Sequence, residues 1–199
     1  MKKTVCALTF VLAMGISLSA SARQGGQSSM SAAPVFEMHP MRMTILDFPD
    51  GGHVPVKNSC LGKGHGVSPA IEWRQVPAGT KSFILLVHDP EAHHNNGVED
   101  VTHWMIWNIP GTARALPEGV PAGLTLPDGA HQVQGRGGPT GVYFGPCAPP
   151  AGYDHHYIFN LYALDTMLDL PETATRAQVM AAANGHLLSS VVWIGLFHR

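Results

Sequence analysis

Residues 82–89 read SFILLVHD, and how that run is buried decides the fold. It is continuous and apolar from Phe83 to Val87, with no alternation of polar residues. The turn segment VPAGTK precedes it and a proline follows at position 90. A short apolar run bounded by turn signals is the pattern of a fully buried β-strand. HWMIWNIP at 103–110 repeats the pattern and is closed by its own proline, and YIFNLYALD at 157–165 is a third strand rich in aromatic and apolar residues.

Further out the signals are also those of strands. MRMTILDF at 41–48 carries Met43 and Ile45 on one face. HVPVKNSC at 53–60 is interrupted by Pro55, which predicts an edge position. AIEW, HQVQG and LLSSVVWIGLF complete the set, the last expected to be a buried final strand. The segment at 111–130, rich in Gly and Pro, reads as loop. One helix is expected, over RAQVMAAA at 176–183. Thr175 and Gln178 have capping-box spacing before it, and Asn184-Gly185 stops it. The fold class that follows is mainly β, most simply an antiparallel β-sandwich with a short C-terminal helix.

The chain of 199 residues suits one domain. At 45% hydrophobic and 13% charged residues, an ordered core is expected rather than disorder. Residues 1–22 have the form of a signal peptide: MKK, then an apolar VCALTFVLAMGI, then a small-residue site ending Ala20-Ser21-Ala22. Cleavage is expected after Ala22, leaving a polar flexible leader at 23–34 and a folded domain at 35–199, in the periplasm or secreted. Cys6 lies inside the apolar run, so a lipid anchor is not indicated, and no later segment is long enough to span a membrane.

Loss of Lys2 and Lys3 turns 12 basic and 14 acidic side chains into 10 and 14, a net charge of −4. A mildly acidic protein without a basic run is not a nucleic-acid binder by composition. Cys60 and Cys147 remain after cleavage. In an oxidising compartment a disulfide between them and a pair of buried thiols are both open.

Three polar knots adjoin the strands: GHGVSPAIEW, HDPEAHHNNGVEDVTHW and FGPCAPPAGYDHHY. Long loops of this kind usually serve a site. Four segments inside or beside the knots carry a resemblance: VSPAIEW at 67–73, VHDPEA at 87–92, HWMIWNIP at 103–110 and GPCAPPAGYDHHYIFNLYAL at 145–164. In that order and spacing the chain resembles the phosphatidylethanolamine-binding, or Raf-kinase-inhibitor-like, proteins, and their bacterial branch most.

That resemblance implies a β-sandwich with a small anion-binding pocket at one end. It assigns Asp89, His103, His155 and Tyr157 to the pocket, with Pro149 and Pro150 as a rigid wall and Ser68 and Pro69 flanking it. Trp104, beside His103, is expected to line the pocket, and Trp107, on the opposite face by parity, to lie in the core. A carboxylate fits an anion site if it raises the proton affinity of a neighbouring imidazole; Asp89 is expected to do this for His103. His155 and Tyr157 would then add donors.

The chain departs from the family pattern in three places: His93 stands where a proline closes the DPDAP motif, His156 replaces an arginine, and HHNNGVEDVT separates the two halves of the site. These changes bear on the shape of the loop and on ligand identity.

Other readings follow from the residues. His88, His93, His94, His103, His155 and His156 with Asp89 and Glu91 supply enough donors for zinc, yet no H-E-x-x-H or C-x-x-C motif occurs, and no metal or other cofactor is expected. A hydrolase would need a nucleophile, for which Ser68 or Cys147 beside His155 are the candidates; Ser68 lacks the G-x-S-x-G context. The expectation is a non-enzymatic protein whose partner is a small anionic or phosphorylated ligand. Modulation or inhibition of a protein target through the pocket rim is the alternative in the interaction class.

Overall fold

The computed structural model describes residues 41–93, 97–133, 141–150 and 152–199. The expected signal peptide at 1–22, the cleavage expected after Ala22, the expected leader at 23–34, His94 and Ala151 lie outside the described residues. The strands are β1 (Arg42–Ile45), β2 (Gly52–His53), β3 (Ile71–Arg74), β4 (Ser82–His93), β5 (Asp100–Pro110), β6 (Ala115–Leu116), β7 (His131–Val133), β8 (His155–Leu164) and β9 (Leu187–Phe197). The helix α1 spans Arg176–Ala183.

The strands form a three-stranded sheet, β1-β3-β6, and a six-stranded sheet, β2-β9-β8-β4-β5-β7. β4 is central, antiparallel to both β8 and β5. Its apolar run is continuous because both of its faces are covered. Phe83, Leu85 and Val87 join a core cluster that also holds Met43, Ile45, Ile71 and Trp73 of the smaller sheet. Ile84 and Leu86 point the other way, into a second cluster with Val179 and Ala183 of α1. The same division places Trp104 in the first cluster and Trp107 in the second. Both are fully buried core residues, so Trp104 is corrected from pocket lining to core; its indole N–H donates to Gln132 Oε1 at 2.8 Å.

The helix forms as its sequence dictates. Thr175 accepts from the Gln178 backbone N–H, and the Gln178 side chain accepts from Thr175 N–H, a reciprocal capping box. Gly185 follows with φ +88, the left-handed conformation that glycine adopts without penalty. Among the described residues no helix is long and apolar enough to cross a membrane.

Four expectations are corrected. The sheets are not purely antiparallel: β2 runs parallel to β9, pairing His53 with Leu196. A parallel pair needs a long connection, and here most of the domain lies between the two strands. The segment at 53–60 contributes only the last residue of β2; after Pro55 the chain turns into a 3-10 helix at Val56–Asn58. The final strand β9 is half-buried along most of its length, because its neighbour on one side is the two-residue β2. The segment expected as loop at 111–130 also contains β6, which ties it to β3.

The register of β4 against β5 shifts where it matters for function. Val87 pairs with Trp104 but His88 pairs with Thr102, so His103 is the extra residue of a bulge. A bulge re-aims side chains. Here His103 and Trp104, although adjacent, fall on the same side of the sheet, while Thr102 and Met105 face the other.

Candidate functional site

One end of the larger sheet carries a cavity of about 540 Å³, lined by Asp89, Glu91, Ala92, His93, Val101, His103, Phe144, Cys147, Ala148, Pro149, Tyr153 and His155. Three elements of rigid backbone converge there: the end of β4 supplies Asp89, the bulge of β5 His103, and the first residue of β8 His155. Asp89, His103 and His155 are each at most 3% exposed.

Asp89 is held from two directions. Its Oδ1 accepts from the backbone N–H groups of Glu91 at 2.9 Å and Ala92 at 3.1 Å. Its Oδ2 meets His155 Nδ1 at 2.8 Å. The imidazole that Asp89 hydrogen-bonds is thus His155, which corrects the expected pairing with His103. A carboxylate only accepts, so Nδ1 of His155 carries a proton. Its other nitrogen, Nε2, is buried and has no hydrogen-bond partner among the described residues. A buried, unpaired polar atom costs stability unless a ligand or water meets it.

His103 is oriented by the loop facing it. Its Nδ1 lies 2.9 Å from the Phe144 carbonyl oxygen, an acceptor, so this nitrogen is protonated too. The ring lies against Phe144 at 5.6 Å and edge-on to Tyr157 at 5.0 Å. Tyr157 also stacks under His155, with ring centroids 6.5 Å apart, and is itself fully buried. Its hydroxyl accepts from Cys147 N–H at 3.0 Å. Burial first, and then the charge of Asp89 beside it, push this phenol well above its ordinary range, so it stays neutral. Tyr157 therefore supports both imidazoles from beneath and is not among the residues that line the cavity.

Cys60 and Cys147 are disulfide-bonded, with Cα atoms 5.3 Å apart. The bridge ties the loop carrying Phe144 and Pro149 to residues 58–60. Gly145 makes that approach possible: a Cβ there would lie 2.5 Å from the Asn58 carbonyl oxygen.

The remaining candidates divide. Pro149 lines the cavity. Pro150, Ser68 and Pro69 do not; Ser68 is buried elsewhere, its Oγ accepting from Val120 N–H at 2.9 Å. His93 ends β4 and reaches the cavity. His156 points to the surface and pairs with Glu91 Oε1 at 2.7 Å. His88, on the opposite face of β4, joins an ion-pair network with Asp100 and Arg176. Phe144 and Tyr153 are cavity residues that sequence reasoning missed; Tyr153 stacks on His155 at 5.3 Å. The only signal for either was an aromatic residue within a loop.

The two carboxylates of the cavity, Asp89 and Glu91, are both engaged with histidines and backbone N–H groups. What the cavity presents to a ligand is imidazole, aromatic faces and proline. Asp89, Glu91 and His155 could also hold a cation, since one donor atom of each lies within 4.8 Å of the others.

A family profile described as phosphatidylethanolamine-binding protein matches residues 44–198. A UPF0098 protein of Methanothermobacter thermautotrophicus is 42% identical over 159 residues, covering 80% of this chain and 99% of that protein. The UPF0098 protein YbhB of Escherichia coli is 36% identical over 162 residues, covering 79% and 99%. Among solved structures, E. coli YbcL, titled a new member of the mammalian PEBP family, superposes with a TM-score of 0.70 at 28% identity, covering 80% of this chain and 98% of that one.

Proposed function

The chain belongs to the phosphatidylethanolamine-binding protein family, and from that premise we propose that it is an exported protein that binds a small anion or a phosphorylated headgroup without catalysing a reaction. The observation that carries this reading is His155 Nε2, buried beside the cavity and without a hydrogen-bond partner among the described residues, while its Nδ1 is fixed on Asp89. In the imidazolium form that nitrogen becomes a donor backed by a carboxylate, a charge-assisted hydrogen bond for an anionic oxygen. His103, opposite, adds a second imidazole, and Phe144, Pro149 and Tyr153 add apolar walls suited to a short organic group.

The two sheets sharing one core cluster support the sandwich architecture of this family, with the cavity at one end. The disulfide supports export, since such bonds persist in oxidising compartments. The nucleophiles considered from sequence are otherwise engaged: Cys147 is bonded to Cys60, and Ser68 Oγ is bonded to Val120 N–H away from the cavity.

The test is a titration of purified, oxidised protein with inorganic phosphate and with phosphoethanolamine, following the imidazole signals of His103 and His155 by NMR. Both sets should move, saturably, and a His103→Ala variant that keeps its fold should lose the response. Imidazoles that stay still up to high ligand concentration would rule the proposal out. Stronger binding of phosphoethanolamine than of phosphate would point to a headgroup; equal binding would point to the free anion.

A further inference from the structure

On the same sheet, three residues at the ends of three neighbouring strands converge. His53 ends β2, His198 follows β9, and Asp154 precedes β8. The pairings His53 with Leu196 and His155 with Phe197 explain why. Extending the second by one residue places Asp154 opposite His198, and the alternation of side chains along a strand puts Leu196, His198, Asp154 and His53 on one face. His53 Nε2 lies 3.1 Å from Asp154 Oδ2, and His198 Nδ1 lies 2.7 Å from Asp154 Oδ1. One donor atom of each of the three residues lies within 4.8 Å of the other two.

We propose that His53, Asp154 and His198 form a surface site for a divalent transition metal of the zinc, nickel or copper class. The donor set is two imidazoles and one carboxylate, the chemistry that such ions select and that calcium and magnesium do not. Tetrahedral zinc with bonds of about 2.0–2.1 Å places its ligand atoms roughly 3.3 Å apart. The observed separations, 3.1 Å to Oδ2 and 2.7 Å to Oδ1, are shorter than that by about 0.2 and 0.6 Å, so binding needs the exposed rings to rotate apart rather than a rebuilt backbone.

The site is also backed by fixed structure. Asp50 Oδ1 accepts from Ile194 N–H, and Val54 N–H bonds to Leu196 O, so β2 and β9 cannot easily separate. Arg199 Nε donates to Ala148 O, anchoring the residue after His198. In the cavity, by contrast, Asp89 already accepts two backbone N–H groups in addition to His155. The metal enters at the surface cluster, with water completing its coordination.

The test is zinc titration of the oxidised full-length mature protein by calorimetry, with cobalt(II) absorption as a second readout of an ordered ligand field. One equivalent should bind, magnesium should not compete, and His53→Ala, His198→Ala and Asp154→Asn should each weaken binding at least tenfold while circular dichroism stays unchanged. Glu91→Gln, which alters only the cavity group, should leave zinc affinity within twofold. Unchanged affinity in a His53→Ala/His198→Ala double variant, or loss of binding in Glu91→Gln alone, would overturn the assignment. A failure here leaves the phosphate response of His103 and His155 unaffected, so the two proposals stand or fall separately.

Discussion

Cys147 and Tyr157 meet through a hydrogen bond of 3.0 Å, from the cysteine's backbone N–H to the phenolic oxygen, which joins the disulfide-braced wall of the cavity to the ring beneath its histidines. Replacement of Tyr157 by Phe keeps the ring against His103 and His155 but leaves that N–H without its acceptor. The variant should lose about 1–2 kcal/mol of stability, the usual cost of stranding a buried donor. Phosphate binding should weaken with it. Urea unfolding and a phosphate titration check both, and wild-type values in each would show that the bond does not couple wall to floor.

The bridge between Cys60 and Cys147 closes a long loop whose ends are 87 positions apart. A Cys60→Ser/Cys147→Ser double variant should be less stable by about 2–5 kcal/mol, chiefly because the unfolded chain is released. The same drop should follow when wild-type protein is unfolded in a reductant. Denaturation curves with and without reductant measure it, and coincident curves would contradict the expectation.

Asp89 is the pivot of the cavity. Asp89→Asn preserves shape yet replaces the carboxylate that accepts from His155 Nδ1–H with a neutral amide, and loss of a buried hydrogen bond to a charged group costs about 2 kcal/mol. Affinity for phosphate should fall by at least tenfold. If the variant binds phosphate like the wild type, the carboxylate has no part in presenting the imidazole.

Acid sensitivity should come in part from the far side of β4. At Asp100 burial pushes the carboxyl upward, but hydrogen bonds from Arg176 and His88, with their charges, outweigh it and hold it below the ordinary range. A carboxylate whose folded pKa is depressed stabilises the fold above its unfolded value, about 3.9, and that contribution is lost as pH falls through the lower folded value. Asp100→Asn should therefore cost roughly 1 kcal/mol near neutrality and progressively less below pH ~4. Unfolding curves at pH 6 and pH 2.5 test this; a constant difference between variant and wild type would refute it.

Much of this was legible in the chain. Continuous apolar runs marked β4 and β5 because those strands are covered on both faces, a condition that composition reports directly, while β8, buried on one face only, was marked by its aromatic and apolar residues. The capping box of α1 was readable because it is a local interaction. His103 and His155 could be placed through the resemblance, but which of them Asp89 would touch could not. That depends on the bulge at His103 and on the pairing of β4 with β8, relationships between segments far apart in sequence. Trp104 misled differently: the bulge does put it on the same side as His103, but one position further along the strand that side is core rather than cavity. The parallel pairing of β2 was equally hidden, since two residues carry no periodic signal.

That bulge has a consequence for how the chain can vary. β5 crosses from one reading frame to another at His103 and crosses back near Asn108, which sits at φ +57 where a second register shift falls. Before the first crossing, odd-numbered side chains serve the cavity; between the crossings, even-numbered ones serve the core. A single-residue deletion at position 103 would thus leave Trp104 opposite Val87 and Val101 opposite Asp89, and remove only the imidazole. Ligand recognition on this strand is an inserted half-step, separable from the folding information on either side of it.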